Sequence, residues 1–117
     1  MTIDERDNDQ LGAILRYCTR LEATLARFDE DYNVFLDDAV FQDSCALCLI
    51  QIGEAVNRLS EGFRASHPSI EWSLIYGMRC RLVHGYDMFD ADIAWETITQ
   101  EIPPLKVFCE ERYREEG

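Results

Sequence analysis

The chemistry this chain can offer is concentrated in one run, Met78-Arg79-Cys80-Arg81-Leu82-Val83-His84-Gly85-Tyr86. An imidazole such as that of His84 gives or takes a proton near neutral pH. A guanidinium is a permanent cation whose planar fork grips phosphate oxygens. Together, His84 as general acid or base and Arg79 as stabiliser of charge growing on phosphorus could cleave a phosphodiester without a metal. The same residue types also have a purely structural use, because cations at a helix C-terminus complement its dipole. The residues alone leave both readings open.

The elements around the run must position it. Leu74, Ile75, Met78 and Leu82 recur at helical spacing and predict a helix with one apolar face. Gly85 follows the last apolar turn and suits an exit through a left-handed residue. Around an ideal helix Arg79 and His84 lie about 140° apart. They cooperate only if the last turn frays or a partner surface bends over it. Gly53 falls inside an earlier helical run, at a cost of about 1 kcal/mol relative to alanine, which points to a close approach by another helix. Glu54 is surrounded in sequence by Leu49, Ile50, Ile52, Ala55 and Val56, and a carboxylate in a core must be paired or protonated. Either Glu54 lies on a solvated edge, or it braces Arg79 or Arg81 from the next helix, with Asn57 one turn on in the same network.

The spacing Arg79-x-x-x-x-His84-x-Tyr86 matches the R-x-x-x-x-H-x-Y signature of HEPN-domain ribonucleases. The wider array resembles the HepT-like toxins of HepT–MntA toxin–antitoxin pairs. It includes Gln51-Ile52-Gly53-Glu54-Ala55, Leu59-Ser60, Phe63-Arg64, His67-Pro68, Trp72, Gly77-Met78-Arg79, Leu82-Val83-His84-Gly85-Tyr86 and Ala94-Trp95-Glu96-Thr97. The similarity spans about residues 8 to 113. One position departs from it: the residue after the motif arginine is usually Asn or Asp in this family and is Cys80 here, and a thiol is a poor hydrogen-bond partner.

The resemblance implies an all-α, HEPN-like domain that dimerises, with arginine–histidine pairs of two subunits facing one another across a shared cleft. It implies Arg79 and His84 as catalytic residues, with an RNA 2′-hydroxyl as the attacking group. Tyr86 would be the acceptor of AMP from a minimal nucleotidyltransferase antitoxin of the MntA type; the residues themselves offer Glu54, Asn57, Cys80 and Arg81 as the supporting set around that site. The alternative is a non-catalytic HEPN module that binds the nucleotidyltransferase partner. Intact Arg79, His84 and Tyr86 favour the enzyme, whereas Cys80 and the acidic composition favour the module.

Composition bounds these readings. The 117 residues suit a single domain over 1–117, and a hydrophobic content of 47% is enough for one core. Eleven basic against 23 acidic residues give a net charge of −12, which argues against a general nucleic-acid binder. RNA would have to be held by a local field at Arg79 and Arg81, no DNA is expected, and a positively charged protein partner fits. No apolar run reaches the ~18 residues of a membrane span, and Met1-Thr2-Ile3-Asp4-Glu5-Arg6-Asp7 has no signal-peptide core, so a cytoplasmic protein with no membrane partner is expected. The five cysteines are odd in number, and Cys45-x-x-Cys48 has no second ligand pair. They read as core packing rather than as disulfides or a metal site, and no metal or cofactor is expected.

Along the chain, Leu11, Ile14, Leu15, Cys18, Leu21, Leu25 and Phe28 predict a first helix over about Asp7 to Phe28. A short helical turn at Tyr32–Leu36 follows. Then comes a long helix from an Asp37 or Asp38 cap to about Arg64, with Val40, Leu47, Cys48, Ala55, Val56 and Leu59 apolar. His67-Pro68-Ser69 reads as a loop with a structural His67, and Ser69 as a cap for a third helix opening at Glu71-Trp72. Asp90 is expected to cap a fourth helix, which Pro103-Pro104 kinks or replaces with a fifth. Four or five helices with short connections imply an antiparallel bundle.

Overall fold

A computed structural model describes residues 3–115, and the outermost residues of the expected 1–117 domain lie outside that range. Among the described residues all regular structure is helical. The helices are α1 (Glu5–Arg27), α2 (Tyr32–Asp37), α3 (Ala39–Arg58), α4 (Glu61–Ala65), α5 (Trp72–His84), α6 (Ala91–Glu96) and α7 (Ile102–Arg112). A 3-10 turn, Tyr86–Met88, follows α5, and a π turn, Thr97–Glu101, joins α6 to α7. The expectation of four or five helices therefore undercounts the segments.

Local chemistry explains where most of them start. The carboxylates of Asp4, Asp31, Asp38 and Asp90 accept hydrogen bonds from the free N–H groups that open α1, α2, α3 and α6. The helix from α6 to α7 widens where Pro103 and Pro104, lacking N–H groups, cannot continue the α ladder, and they sit in the first turn of α7.

Three expectations need correction. The long second helix stops at Arg58 rather than Arg64, because Leu59 and Ser60 are extended and Ser60 Oγ caps α4 by accepting from Phe63 N at 3.2 Å. Ser69 caps nothing: Glu71 precedes α5 without a side-chain cap, and Trp72 Nε1 donates to His67 O at 2.9 Å. Gly85 is not left-handed: its φ is −153°. Its N–H donates to Arg81 O and its carbonyl accepts from Met88 N, so the chain enters the 3-10 turn directly and no left-handed residue is required.

α1 packs along α3 and α7, and α3 along α5. The side-chain clasps fix these directions. Asp7 at the start of α1 accepts from Ser60 N and Ser60 Oγ just past the end of α3, both at 2.7 Å. Asn8 exchanges hydrogen bonds with Arg114 beyond the end of α7, at 2.7 and 2.9 Å. Both neighbours therefore run antiparallel to α1. The buried stripe of α1 is Leu11, Ile14, Cys18 and Leu21, facing Phe41, Cys45, Leu49, Ile52 and Val56 of α3 in one core. α3 has the length and hydropathy of a membrane span, but half of the relevant window is buried in this core. Cys18, Cys45, Cys48 and Cys109 are buried free thiols, with burial pushing Cys18, Cys45 and Cys109 up to about 12, which makes them packing groups and poor nucleophiles.

The Asp7 clasp spans 53 residues and satisfies the backbone at the break between α3 and α4. Asp7→Ala should cost about 0.5–1.5 kcal/mol, the usual net worth of a hydrogen bond whose donor, on exposed Ser60, can turn to water, read as a lowered urea midpoint at unchanged slope. Asp7→Asn, which still accepts, should recover part of the loss.

Candidate active site

The site begins with a missing side chain. Gly53 of α3 faces α5 so closely that a Cβ there would collide with Arg79 Cβ and stand 3.0 Å from Arg79 Cγ and 3.5 Å from Ile75 O. The aliphatic stem of Arg79 therefore lies directly on the α3 backbone. Its guanidinium meets Glu54, with Arg79 Nε against Glu54 Oε1. The Nε–H finds no acceptor in good hydrogen-bond geometry, and the contact is an ion pair. The Tyr76 ring lies 5.7 Å from the guanidinium carbon on another side. The two charged side chains are 20% and 27% exposed, so the pair sits at the rim of the α3–α5 seam, neither submerged nor free. The sequence alternatives for Glu54 resolve in favour of Arg79. Arg58, one turn along α3, is a second and looser partner of Glu54 at 3.9 Å.

Asn57 does not join this network: it is exposed and makes no side-chain hydrogen bond among the described residues. Arg81 is exposed on another side of α5 and lies with His84 along a groove of about 320 Å³ that Met78, Leu82, Met88, Phe89 and Ile93 complete. Arg79 takes no part in that groove. The structure thus keeps the helix-phase separation: Arg79 faces α3, His84 is exposed on the α6 side, and one copy of the chain does not bring them together. Cys80 is half-buried beside Tyr76, whose phenol it raises above its ordinary range.

Tyr86 opens the 3-10 turn and is 40% exposed. Its ring leans on Phe89 at 5.5 Å, and its hydroxyl donates to Asp43 Oδ1 of α3. Burial first, and then the Asp43 carboxylate, push its pKa up to about 12. Asp43 is the residue sequence reading missed. Its one local signal is phase: Asp43 and Glu54 are eleven residues apart, about 20° around a helix and about 16 Å along it, so the anchors of Tyr86 and Arg79 share one face of α3. Val40 and Leu47, expected in the core, lie on that face too and are 67% and 48% exposed. Leu74, expected on the apolar face of α5, is likewise exposed, and Trp72 takes its place beside Ile75, Met78 and Leu82.

Other features stand apart. A cavity of about 480 Å³ between α1 and α6–α7 contains none of the motif residues. Among the described residues, no group of three or more His, Cys, Asp or Glu side chains is arranged to hold a metal. His67 lies tilted against Phe63 at 4.7 Å and meets the edge of Phe108 at 5.0 Å, and burial followed by Arg112 lowers its pKa.

Comparison with known proteins completes the description. The family described as Ribonuclease HepT-like matches residues 14–112. This chain belongs to that family. A protein of Caldanaerobacter subterraneus subsp. tengcongensis, provisionally named an RNase, is 40% identical over 75 residues, 64% of this chain and 67% of the relative. One of Methanocaldococcus jannaschii, also provisionally named an RNase, is 36% identical over 67% of each chain. One of Thermococcus cleftensis, provisionally named ribonuclease HepT, is 36% identical over 64% of this chain and 68% of its own. No solved structure matches the chain.

Two substitutions probe the α3–α5 seam. Gly53→Ala should lower stability by about 1–3 kcal/mol through overpacking, beyond the small gain in helix propensity. Glu54→Gln should change the melting temperature little, since the pair is partly exposed. Under a catalytic role for Arg79 it would lower RNA cleavage by up to about 10²-fold if the guanidinium shifts by an ångström, so activity and stability would respond in different proportions.

Proposed function

We propose that this chain is the toxin of a toxin–antitoxin pair: a metal-independent endoribonuclease that acts as a homodimer and is silenced by AMP transfer to Tyr86. The carrying observation is the state of Arg79. It is held at a rim by Gly53, Glu54 and Tyr76, on a face of α3 that also exposes Val40 and Leu47, while His84 is solvent-accessible on the far side of α5. A two-fold interface that takes in the exposed side of α5 as well as the rim around Arg79 would place the His84 of each copy in the contact. It would also bring the chemistry of one copy to an arginine already fixed in position in the other.

In this reading the RNA 2′-hydroxyl attacks the adjacent phosphorus, His84 takes its proton, and Arg79 stabilises the charge on the non-bridging oxygens. The 5′-oxygen leaves with a proton supplied by an acid, and the product ends in a cyclic phosphate or, after hydrolysis, a 3′-phosphate. Cleavage should persist in EDTA. His84→Ala should lose about 10²–10⁴-fold, the usual worth of a positioned proton carrier. Arg79→Ala should do likewise, and Arg79→Lys should rescue poorly because it lacks the fork. Tyr86→Phe should keep cleavage but no longer accept AMP. The measurement is a ribonuclease assay of purified dimer with end-group analysis of the products.

The second reading is a binding module for the nucleotidyltransferase, favoured by Cys80 beside the motif arginine and by the net charge of −12. Cleavage that does not depend on His84, or no cleavage by a well-folded dimer, would select it.

A further inference from the structure

We propose that Asp43 is the general base for nucleotidyl transfer to Tyr86, so that the chain supplies part of the machinery for its own modification. The inference rests on the reading of Tyr86 as an AMP acceptor. Its observation is the hydrogen bond from Tyr86 Oη to Asp43 Oδ1, across 43 residues of sequence. A general base must stand within hydrogen-bond reach of the proton it removes, and Asp43 does. It is exposed on α3 and makes no ion pair among the described residues. Tyr86 is half-exposed, braced by Phe89, and a phenol that donates its proton keeps its lone pairs for attack.

The phenol needs such a base. With its pKa pushed up to about 12 by burial and by the Asp43 carboxylate, it is neutral near pH 7 and must lose its proton as it reacts. Tyr86 Oη forms a bond to the α-phosphorus of ATP, and the bond from that phosphorus to the bridging oxygen breaks. Pyrophosphate leaves with the electron pair, while the phenolic proton passes to Asp43 and then to water. The product has a further consequence. The ester oxygen has no proton to donate, and a phosphodiester anion now faces the recovered carboxylate, so the turn Tyr86–Met88 loses its anchor to α3.

The test uses the full chain and an electrophilic phosphorus probe, diisopropyl phosphorofluoridate, which needs no partner enzyme. Tyr86 attacks its phosphorus, the P–F bond breaks and fluoride leaves. Peptide mass mapping gives the rate at Tyr86, with N-acetyltyrosinamide in the same vessel as the reference. Asp43→Asn keeps an acceptor oxygen but not the basicity and should slow Tyr86 labelling about 10²-fold, whereas Asp43→Glu should retain much of the rate. Equal labelling of wild type and Asp43→Asn overturns the proposal. In a second arm, with ATP and a minimal nucleotidyltransferase of the MntA type, Asp43→Asn should slow the first AMP transfer by a similar factor. Any later additions, made on the attached nucleotide, should be unaffected. Asp43-dependent probe labelling with no AMP transfer to wild type would sink the AMP-acceptor reading while leaving Asp43 as the activator of Tyr86 for another donor.

Discussion

The close approach of α5 to the α3 backbone at Gly53 is the constraint on which the site depends. Only the absence of a side chain there lets the stem of Arg79 lie on α3, and only at that separation does Glu54 meet the guanidinium. A glycine in mid-helix weakens α3 by about 1 kcal/mol. The packing of α1 against the other side of α3, with Leu49, Ile52 and Val56 in the core, offsets that loss. Stability is thus drawn from the α1–α3 face and given up at the α3–α5 seam, where a cation is held at the rim with its charge matched.

Helix geometry then sets a second constraint. Four residues lie between Arg79 and His84, and the regular helix points the two apart, with Arg79 toward α3 and His84 toward the groove beside α6. Fraying does not rescue the pair, because Gly85 closes the helix with a hydrogen bond to Arg81 O and the 3-10 turn is tied to α3 through Tyr86 and Asp43. For the proposed cooperation of the two residues, the route left is a partner surface. The acidic composition bears on the proposal: with a net charge of −12 RNA would be attracted only where local cations dominate, and the proposed two-fold assembly would double the arginines at one place.

Much of this was legible in the sequence, for identifiable reasons. The helix periods of α1 and α5, the Asp90 cap and the close approach at Gly53 follow from local spacing; the choice of Asp38 over Asp37 as a cap, and of a brace over a solvated edge for Glu54, was left open by the sequence and decided by the packing. What escaped depends on distant residues. The break at Leu59 and Ser60 is stabilised by Asp7, and the end of α5 by Asp43, neither of which advertises its partner. Asn57 looked like a neighbour of Glu54, yet it lies about 60° round the helix and points to solvent, where Arg58 is better placed. Val40 and Leu47 looked like core because they are apolar; their exposure became visible only once the packing of α3 was known, and it coincides with the face that carries Asp43 and Glu54.

The central claim is that Arg79 of one copy works with His84 of another, and mixing two inactive variants tests it directly. Arg79→Ala and His84→Ala chains, co-expressed so that subunits exchange, form heterodimers in half of the population, each with one site retaining both residues. Cleavage should then return to about a quarter of the wild-type level, as expected for a symmetric dimer whose sites are shared between subunits. If the mixed dimers are isolated and stay as inactive as either parent while wild type cleaves, the two residues do not meet across an interface and the account is wrong.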